Sequence, residues 1–158
     1  MKREHLNTGL LPVYDSESRI LILGSFPSVK SRQSNFYYGH PQNRFWKVLS
    51  ELYHVPLLKT QAEKEAFLLE HHLALWDVIS SLDISGSSDA SIKNVRVNKL
   101  EKILNQANIQ HIYTNGKTAY NLFKKYFTYP VTYLPSTSPA NASYKLEDLL
   151  TAWKVIKL

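Results

Sequence analysis

The chain has 158 residues, of which 44% are apolar, and these values favour one domain over residues 1–158 with a sizeable buried core. The absence of cysteine excludes disulfides, thiolate nucleophiles and cysteine-ligated zinc or iron–sulfur clusters, and we expect a cytoplasmic protein. The formal net charge of +6 favours a polyanionic partner such as nucleic acid, bound by a charged face because the basic residues are scattered.

The hydropathy of the chain predicts neither a membrane span nor a secretory signal. No segment approaches the roughly 20 apolar residues that cross a bilayer. The first ten residues, MKREHLNTGL, carry charges but no apolar core of a signal peptide. We therefore expect no membrane partner.

Short apolar runs that end in glycine or polar residues alternate with segments of helical periodicity. In chain order we predict a strand over 18–25, helices over 42–54 and 60–72, a strand over 73–80, a polar loop over 81–94, a helix over 97–108, a strand over 109–116, a helix over 117–127, a strand within 130–139 and a helix over 144–156. Thr60, with Glu63 three residues later, predicts a capping box at the second helix. The alternation indicates an α/β domain with a mainly parallel sheet and helices on both faces.

Ligands of such sheets bind beyond the carboxyl ends of the strands. The loops that follow those ends in the predicted order are 24–43, 76–94, 115–118 and 135–143. These loops also contain the unusual polar and aromatic residues of the chain. The sequence therefore predicts a site at this edge of the sheet.

The first of these loops begins with the turn GSFPS, residues 24–28. Glycine lets backbone amides approach a ligand closely, although an ordinary structural turn is the simpler interpretation of this segment alone. The chain has no G-x-G-x-x-G pattern and no P-loop lysine, which disfavours a nucleotide cofactor.

Asn43 lies in the segment HPQNRFW, near the predicted start of a helix. Two residues correspond to roughly 200° of helical rotation, so Asn43 should point away from the buried face that contains Phe45 and toward a cleft above the sheet. There its amide could position a water and hydrogen-bond a base edge. The alternative is that Asn43 only caps the helix, and spacing alone favours that alternative.

Other candidate groups have weaker signals. LPSTSPAN, residues 134–141, supplies hydroxyls and amides that suit phosphate, and Asn115–Gly116 opens a helix, but a structural loop and a plain cap explain both. The histidines show no spacing typical of metal ligands, so we expect no metal. Asp77 and Asp89 are loop acids that could assist a reaction or could be merely solvated.

The ordered segments ILGSFPS, YYGHPQNRFW, LALWDV, GSSDASI, YTNGKTA and LPSTSPAN resemble the uracil-DNA glycosylase superfamily, in particular its hypoxanthine-DNA glycosylase (DNA-deoxyinosine glycosylase) branch. The resemblance extends from about Leu10 to the last helix. It implies a three-layer α/β/α sandwich with a four-stranded, mainly parallel sheet. It also implies a monofunctional, cofactor-free and metal-free enzyme that acts as a monomer on double-stranded DNA containing a deaminated base, hypoxanthine first and uracil or a mismatched base second.

The resemblance implies that Asn43 is the catalytic asparagine, whereas the water-activating aspartate of better-known uracil glycosylases has no counterpart in the GSFPS turn. One departure is Ser28, where the family pattern has glycine; a side chain there could narrow the approach of DNA. The predicted base pocket comprises Gly24, Ser25, Phe26, Pro27, Phe36, Tyr37, Tyr38, His40, Trp76 and Asp77. The predicted DNA-binding and wedge residues are Ser136, Thr137, Ser138, Pro139, Ala140, Asn141, Asn115 and Lys117.

The chemistry of base excision is compatible with these residues. A base inside a duplex must be flipped out before its glycosidic bond can be reached, and it then needs a stacking ring and groups that recognise its edge. Its departure as an anion is assisted by hydrogen-bond donors, so neither a metal nor a strong nucleophile is required. A non-catalytic nucleic-acid-binding module on the same fold is the alternative, because a water-activating acid is missing from the turn.

Overall fold

The computed structural model describes residues 3–7, 10–26, 36–85 and 92–157. The strands are β1 (Arg3–Asn7), β2 (Ile20–Gly24), β3 (Leu73–Asp77), β4 (Ile79–Ser85), β5 (Lys93–Val97), β6 (His111–Asn115) and β7 (Thr132–Leu134). The helices are α1 (Phe45–Leu52), α2 (Gln61–Glu70), α3 (Glu101–Leu104), α4 (Lys117–Tyr126) and α5 (Leu146–Trp153), and a 3-10 turn (Lys154–Ile156) follows α5.

Four of the strands form a parallel sheet in the order β3-β2-β6-β7. Strand β2 lies inside this sheet, and all of its residues are buried, which explains its uninterrupted apolar run. The register pairs Gly24 with Asp77 and Asn115 with Leu134, so the carboxyl ends of the four strands meet at one edge. The predicted four-stranded parallel sheet is confirmed.

Helices cover the parallel sheet and complete a three-layer α/β/α sandwich. α1 packs on α5 through Phe45 and Trp153, which are fully buried and whose ring centroids are 5.8 Å apart. α2 packs against β3, and α4 packs against β6 and β7. The predicted capping box is present at α2, where Thr60 accepts a hydrogen bond from the Glu63 N–H and Glu63 accepts one from the Thr60 N–H. The predicted fold class is therefore confirmed.

The prediction of a polar loop over 81–94 is wrong at residues 81–85 and 93–94, whereas residues 86–91 lie outside the described part of the chain. Within that range β4 and β5 pair antiparallel, and β4 also pairs antiparallel with β1, which gives a second sheet of order β1-β4-β5. Ile79 and Leu82 are buried, but register shifts on either side of Ser81 interrupt the alternation that normally identifies a half-buried strand. The polar composition of β4 and β5 then resembles a loop in the sequence.

Two predicted elements have other bounds in the structure. The strand predicted over 73–80 divides, because β3 ends at Asp77 and the Val78 N–H donates to the Gly24 carbonyl before β4 begins in the other sheet. The helix predicted over 97–108 is reduced to α3, because Asn98 is held outside it by a 2.7 Å hydrogen bond from its amide to the Asp77 carbonyl.

Candidate active site

A cavity of about 260 Å³ opens at the carboxyl edge of the parallel sheet. It lies where β2, β3 and β6 end, and the loop after β7 closes one side. Its lining residues are Gly24, Ser25, Phe26, Tyr37, Tyr38, His40, Asn43, Asp77, Asn115, Ser136, Thr137, Ser138 and Pro139. The structure thus brings most of the predicted pocket and loop residues together around one space.

Asn43 lies two residues before α1, and its side chain is a cap and a cavity-lining group at once. Its Oδ1 accepts a 2.9 Å hydrogen bond from the Phe45 N–H and a 2.8 Å hydrogen bond from the Thr137 hydroxyl. The sequence allowed Asn43 to be either a helix cap or a group that faces the cleft, and in the structure it is both. A carbonyl oxygen has two lone pairs, and both are used, so the amide nitrogen is the polar atom of Asn43 that remains for a ligand.

Thr137 connects the loop after β7 to the end of β6. Its side chain is fully buried, its N–H donates to Asn115 Oδ1 at 3.0 Å, and its hydroxyl accepts from Asn115 Nδ2 at 3.0 Å. Gly116, with a φ of 96°, follows Asn115 and allows close approach, because a Cβ at that position would lie 3.0 Å from the Cβ of Ser136. The loop is consequently held against β6 by backbone and side-chain contacts.

Asp77 forms the floor of the cavity beside Gly24. The residue is 4% exposed, and its Oδ2 has no hydrogen-bond partner within the described residues. A Cβ on Gly24 would lie 2.5 Å from Asp77 Oδ1 and 2.9 Å from the Tyr38 hydroxyl, so glycine is required for these groups to meet. Burial raises the pKa of Asp77 to about 7, because the charged carboxylate loses its hydration.

Aromatic side chains form one wall of the cavity. The Tyr38 ring stacks on Phe45 with centroids 4.1 Å apart, from a backbone with a left-handed φ of 54°. Tyr37 donates its hydroxyl to the Leu11 carbonyl at 2.7 Å, and burial is the main cause that raises the pKa of both tyrosines. Phe26 also lines the cavity and is only partly buried.

Two predicted pocket residues within the described part of the chain do not line the cavity. Phe36 stacks on Trp46 at 5.9 Å and borders a different depression, next to Leu10. Trp76 is buried and precedes Asp77 in β3, so the two side chains point to opposite faces of the sheet. Pro27 lies outside the described residues, as do Ser28 and Asp89.

A second hollow, of about 430 Å³, adjoins the cavity and shares Ser25, Asn115, Ser136 and Ser138 with it. The remaining predicted DNA-contacting residues, Lys117, Ala140 and Asn141, line this hollow. The Asn141 amide donates to the Ser136 carbonyl at 3.0 Å, which stabilises the turn of the loop.

Arg44 is a structural residue of the site that the sequence did not reveal. Its guanidinium donates to the carbonyls of Ser138 (3.3 Å), Asn141 (3.2 Å) and Tyr144, and its N–H donates to the Thr137 carbonyl at 3.0 Å. In the sequence Arg44 is merely one of many scattered basic residues, so nothing distinguishes it. It fixes the 137–144 loop to the start of α1.

Neither a metal-binding cluster nor a membrane-spanning helix occurs in the part of the chain that the structure describes. No cluster of histidine and carboxylate side chains there could hold a metal ion. No helix formed by those residues has the length and apolar character needed to cross a membrane.

Comparisons with known proteins agree with the motifs and the geometry. The sequence model of the uracil DNA glycosylase superfamily matches residues 11–157. A protein named hypoxanthine DNA glycosylase from Methanosarcina barkeri is 34% identical over 84% of this chain and 87% of its own length. A protein of the same name from Methanosarcina acetivorans is 32% identical over 96% of this chain and 98% of its own length.

A solved structure is similar as well. The solution NMR structure of a candidate uracil DNA glycosylase from Methanosarcina acetivorans superposes with a TM-score of 0.77 at 26% identity, covering 95% of this chain and 98% of the other. The predicted family and enzyme class, DNA glycosylase, are therefore confirmed: the chain belongs to the uracil DNA glycosylase superfamily.

Proposed function

We propose that the protein excises deaminated bases from double-stranded DNA, hypoxanthine first and uracil or a mismatched base second. The observation that carries the proposal is the cavity at the sheet edge, into which Asn43 can present an unpaired amide nitrogen beside the buried Asp77. The names of the two curated relatives support hypoxanthine as the first substrate.

The base would enter the cavity after it is flipped out of the duplex, because its glycosidic bond is inaccessible in the stack. Phe26 offers a partly exposed ring on which the base could stack. Asn43, Asp77 and Tyr38 offer the polar atoms that could hydrogen-bond to its edge. We propose that these residues form the base-binding site.

The proposed reaction is hydrolysis. The bond between C1′ of the deoxyribose and the base nitrogen breaks, and its electron pair remains with the base. Water forms the new C1′–O bond, and the proton it loses ends on the released base. The transition state has oxocarbenium character at the sugar and negative charge on the base, so a donor directed at the base lowers the barrier. We assign that donor role to the Asn43 amide.

The 136–141 loop and the residues around the second hollow would contact the DNA beside the flipped nucleotide. The loop has exposed residues at Pro139 and Ala140, and Lys117 adjoins it. The net charge of +6 would add attraction to phosphates that does not depend on base sequence. We further propose that the protein works as a monomeric single domain in the cytoplasm, on nucleoid DNA.

Duplexes that contain one hypoxanthine, uracil, xanthine or mismatched thymine would test the proposal. With enzyme in excess, the wild-type protein should generate alkali-sensitive abasic sites, fastest at hypoxanthine. Asn43→Ala should reduce the single-turnover rate by about 10²–10³-fold, as loss of one preorganised donor does, while duplex affinity is largely retained. Asn121→Ala, an exposed asparagine on α4, is the matched control and should keep the wild-type rate.

Absence of base release from all four duplexes at low salt would contradict the enzymatic proposal. Binding that is indifferent to the lesion, without abasic product, would instead favour the nucleic-acid-binding alternative. Full activity of Asn43→Ala would show that the donor lies elsewhere.

A further inference from the structure

The orientation of the Asn43 side-chain amide follows from its neighbours, without reference to any ligand. A backbone N–H can only donate, so the amide atom that faces the Phe45 N–H at 2.9 Å must be the oxygen. The Thr137 hydroxyl contacts that same oxygen at 2.8 Å and must supply its hydrogen to it. The amide nitrogen is therefore left without a partner in the described residues.

The direction of the Thr137 hydroxyl is fixed in the same way by Asn115. The Thr137 N–H donates to one atom of the Asn115 amide at 3.0 Å, so that atom is the oxygen. The other atom, Nδ2, lies 3.0 Å from the Thr137 hydroxyl and donates to it. The hydroxyl thus accepts from Asn115, and its single hydrogen is available for Asn43.

We propose that Thr137, oriented by Asn115, is a positioning residue that keeps the Asn43 amide nitrogen toward the cavity as a hydrogen-bond donor. The inference rests on the proposed function and specifies how Asn43 acts: on the base, and not as an acceptor that activates water. Both lone pairs of its oxygen are occupied, so it has no acceptor left for a water hydrogen.

A fixed donor also distinguishes hypoxanthine from adenine. Hypoxanthine carries a carbonyl where adenine carries an amino group, and it presents N7 and O6 acceptors as guanine does, whereas adenine presents an N6 donor. Asn43 Nδ2 can donate to such an acceptor, and the bond strengthens as negative charge develops on the leaving base. An amino group in the same place would leave two donors facing each other, which is costly in a buried site.

Thr137→Val tests the inference, because valine keeps the shape of threonine and removes the hydroxyl. We expect the single-turnover rate of hypoxanthine release to fall by about ten-fold, the value of one hydrogen bond, with little change in duplex affinity. Thr137→Ser keeps the hydroxyl and should restore most of the rate. Thr114→Val is the matched control: Thr114 is equally buried, but its hydroxyl has no partner among the described residues, so the rate should not change.

The decisive measurement places Thr137→Val in an Asn43→Ala background. A residue that acts only through Asn43 loses its effect there, so we expect less than about two-fold further loss. A ten-fold loss in both backgrounds would overturn the inference, as would a Thr137→Ser protein no faster than Thr137→Val.

Urea unfolding gives a second readout that needs no activity. It compares the wild-type protein, Thr137→Val, Asn43→Ala and the variant that combines both substitutions. Non-additive shifts of the unfolding midpoint are expected, because the two side chains share one hydrogen bond. Additive shifts would contradict the contact. If the wild-type protein releases no base, the proposed function fails, while the unfolding cycle still decides whether Thr137 orients Asn43.

Discussion

The two sheets of the molecule differ in what they bury and in what they support. The parallel sheet β3-β2-β6-β7 is covered by helices and brings its strand ends to the cavity. The antiparallel sheet β1-β4-β5 has an exposed strand, β5, and its side chains contribute nothing to the cavity lining in the described residues. The difference teaches that the polar groups of the site follow a sheet whose strands β2 and β3 are fully buried, whereas the second sheet tolerates irregular pairing.

The largest expected effect concerns Asp77, at the end of β3. Burial raises its pKa from 3.8 to about 7, so between these values the folded state keeps a proton that the unfolded state has lost. Its contribution to stability is therefore fully present below pH 4 and is lost as the pH rises toward 7. Asp77→Asn removes this pH dependence of stability. Between pH 4 and pH 7 the free energy of unfolding of Asp77→Asn should therefore increase by on the order of 4 kcal/mol relative to that of the wild-type protein.

Urea unfolding of both proteins at intervals from pH 4 to pH 8 measures the gain. The difference should increase up to about pH 7 and then level off, because the folded carboxyl ionises there too. If the difference in free energy of unfolding between Asp77→Asn and wild type stayed constant over the whole pH range, Asp77 would be solvated. The edge of the parallel sheet would then be less buried than the comparison with the second sheet requires.

Gly24→Ala should have the next largest effect, since it places a methyl group at the end of β2, against Asp77 and Tyr38. Oδ1 of Asp77 would lie 2.5 Å from the new Cβ, so buried groups must move. We expect a loss of about 1–3 kcal/mol in the free energy of unfolding, with slower base release from the hypoxanthine duplex. An unchanged denaturation midpoint together with an unchanged rate would contradict the close packing described for this edge.

Asp83→Asn should have the smallest effect, because it alters the second sheet. Asp83 on β4 accepts hydrogen bonds from His5 on β1 at 2.7 Å and from Asn94 on β5 at 2.6 Å. These side chains are partly exposed, and such pairs contribute less than about 1 kcal/mol. Base release should remain at the wild-type rate in the same assay. A marked loss of activity would show that the second sheet does support the site.

The same contrast explains which parts of the molecule could be predicted from the sequence. Residues 20–23 are buried on both faces and give an apolar run that only a central strand explains. The glycine at residue 24 and the polar segments after each strand located the site, because parallel strands align their ends. In β4, by contrast, the register shifts around Ser81 remove the periodic signal.

Within the site, the sequence supplied residue types but not their connections. Asn43 was a candidate from its position before a helix, yet its bond with Thr137 spans 94 residues of chain, and no local pattern encodes such a contact. Trp76 and Phe36 belong to the predicted base pocket, but the direction of each ring depends on which side of the local backbone is buried. Long-range side-chain contacts are set by the fold and not by spacing.

Arg44 has a consequence for how the protein should respond to ionic strength. Its guanidinium donates to three loop carbonyls, so we expect it to contribute less to counterion release from a polyanion than an unattached surface cation does. The logarithm of duplex affinity should therefore decline with the logarithm of salt concentration less steeply than a count of the basic side chains suggests. The positive charge of Arg44, the residue after Asn43, then belongs to the internal framework of the protein, and the proposed attraction to DNA would come from other cations of the chain.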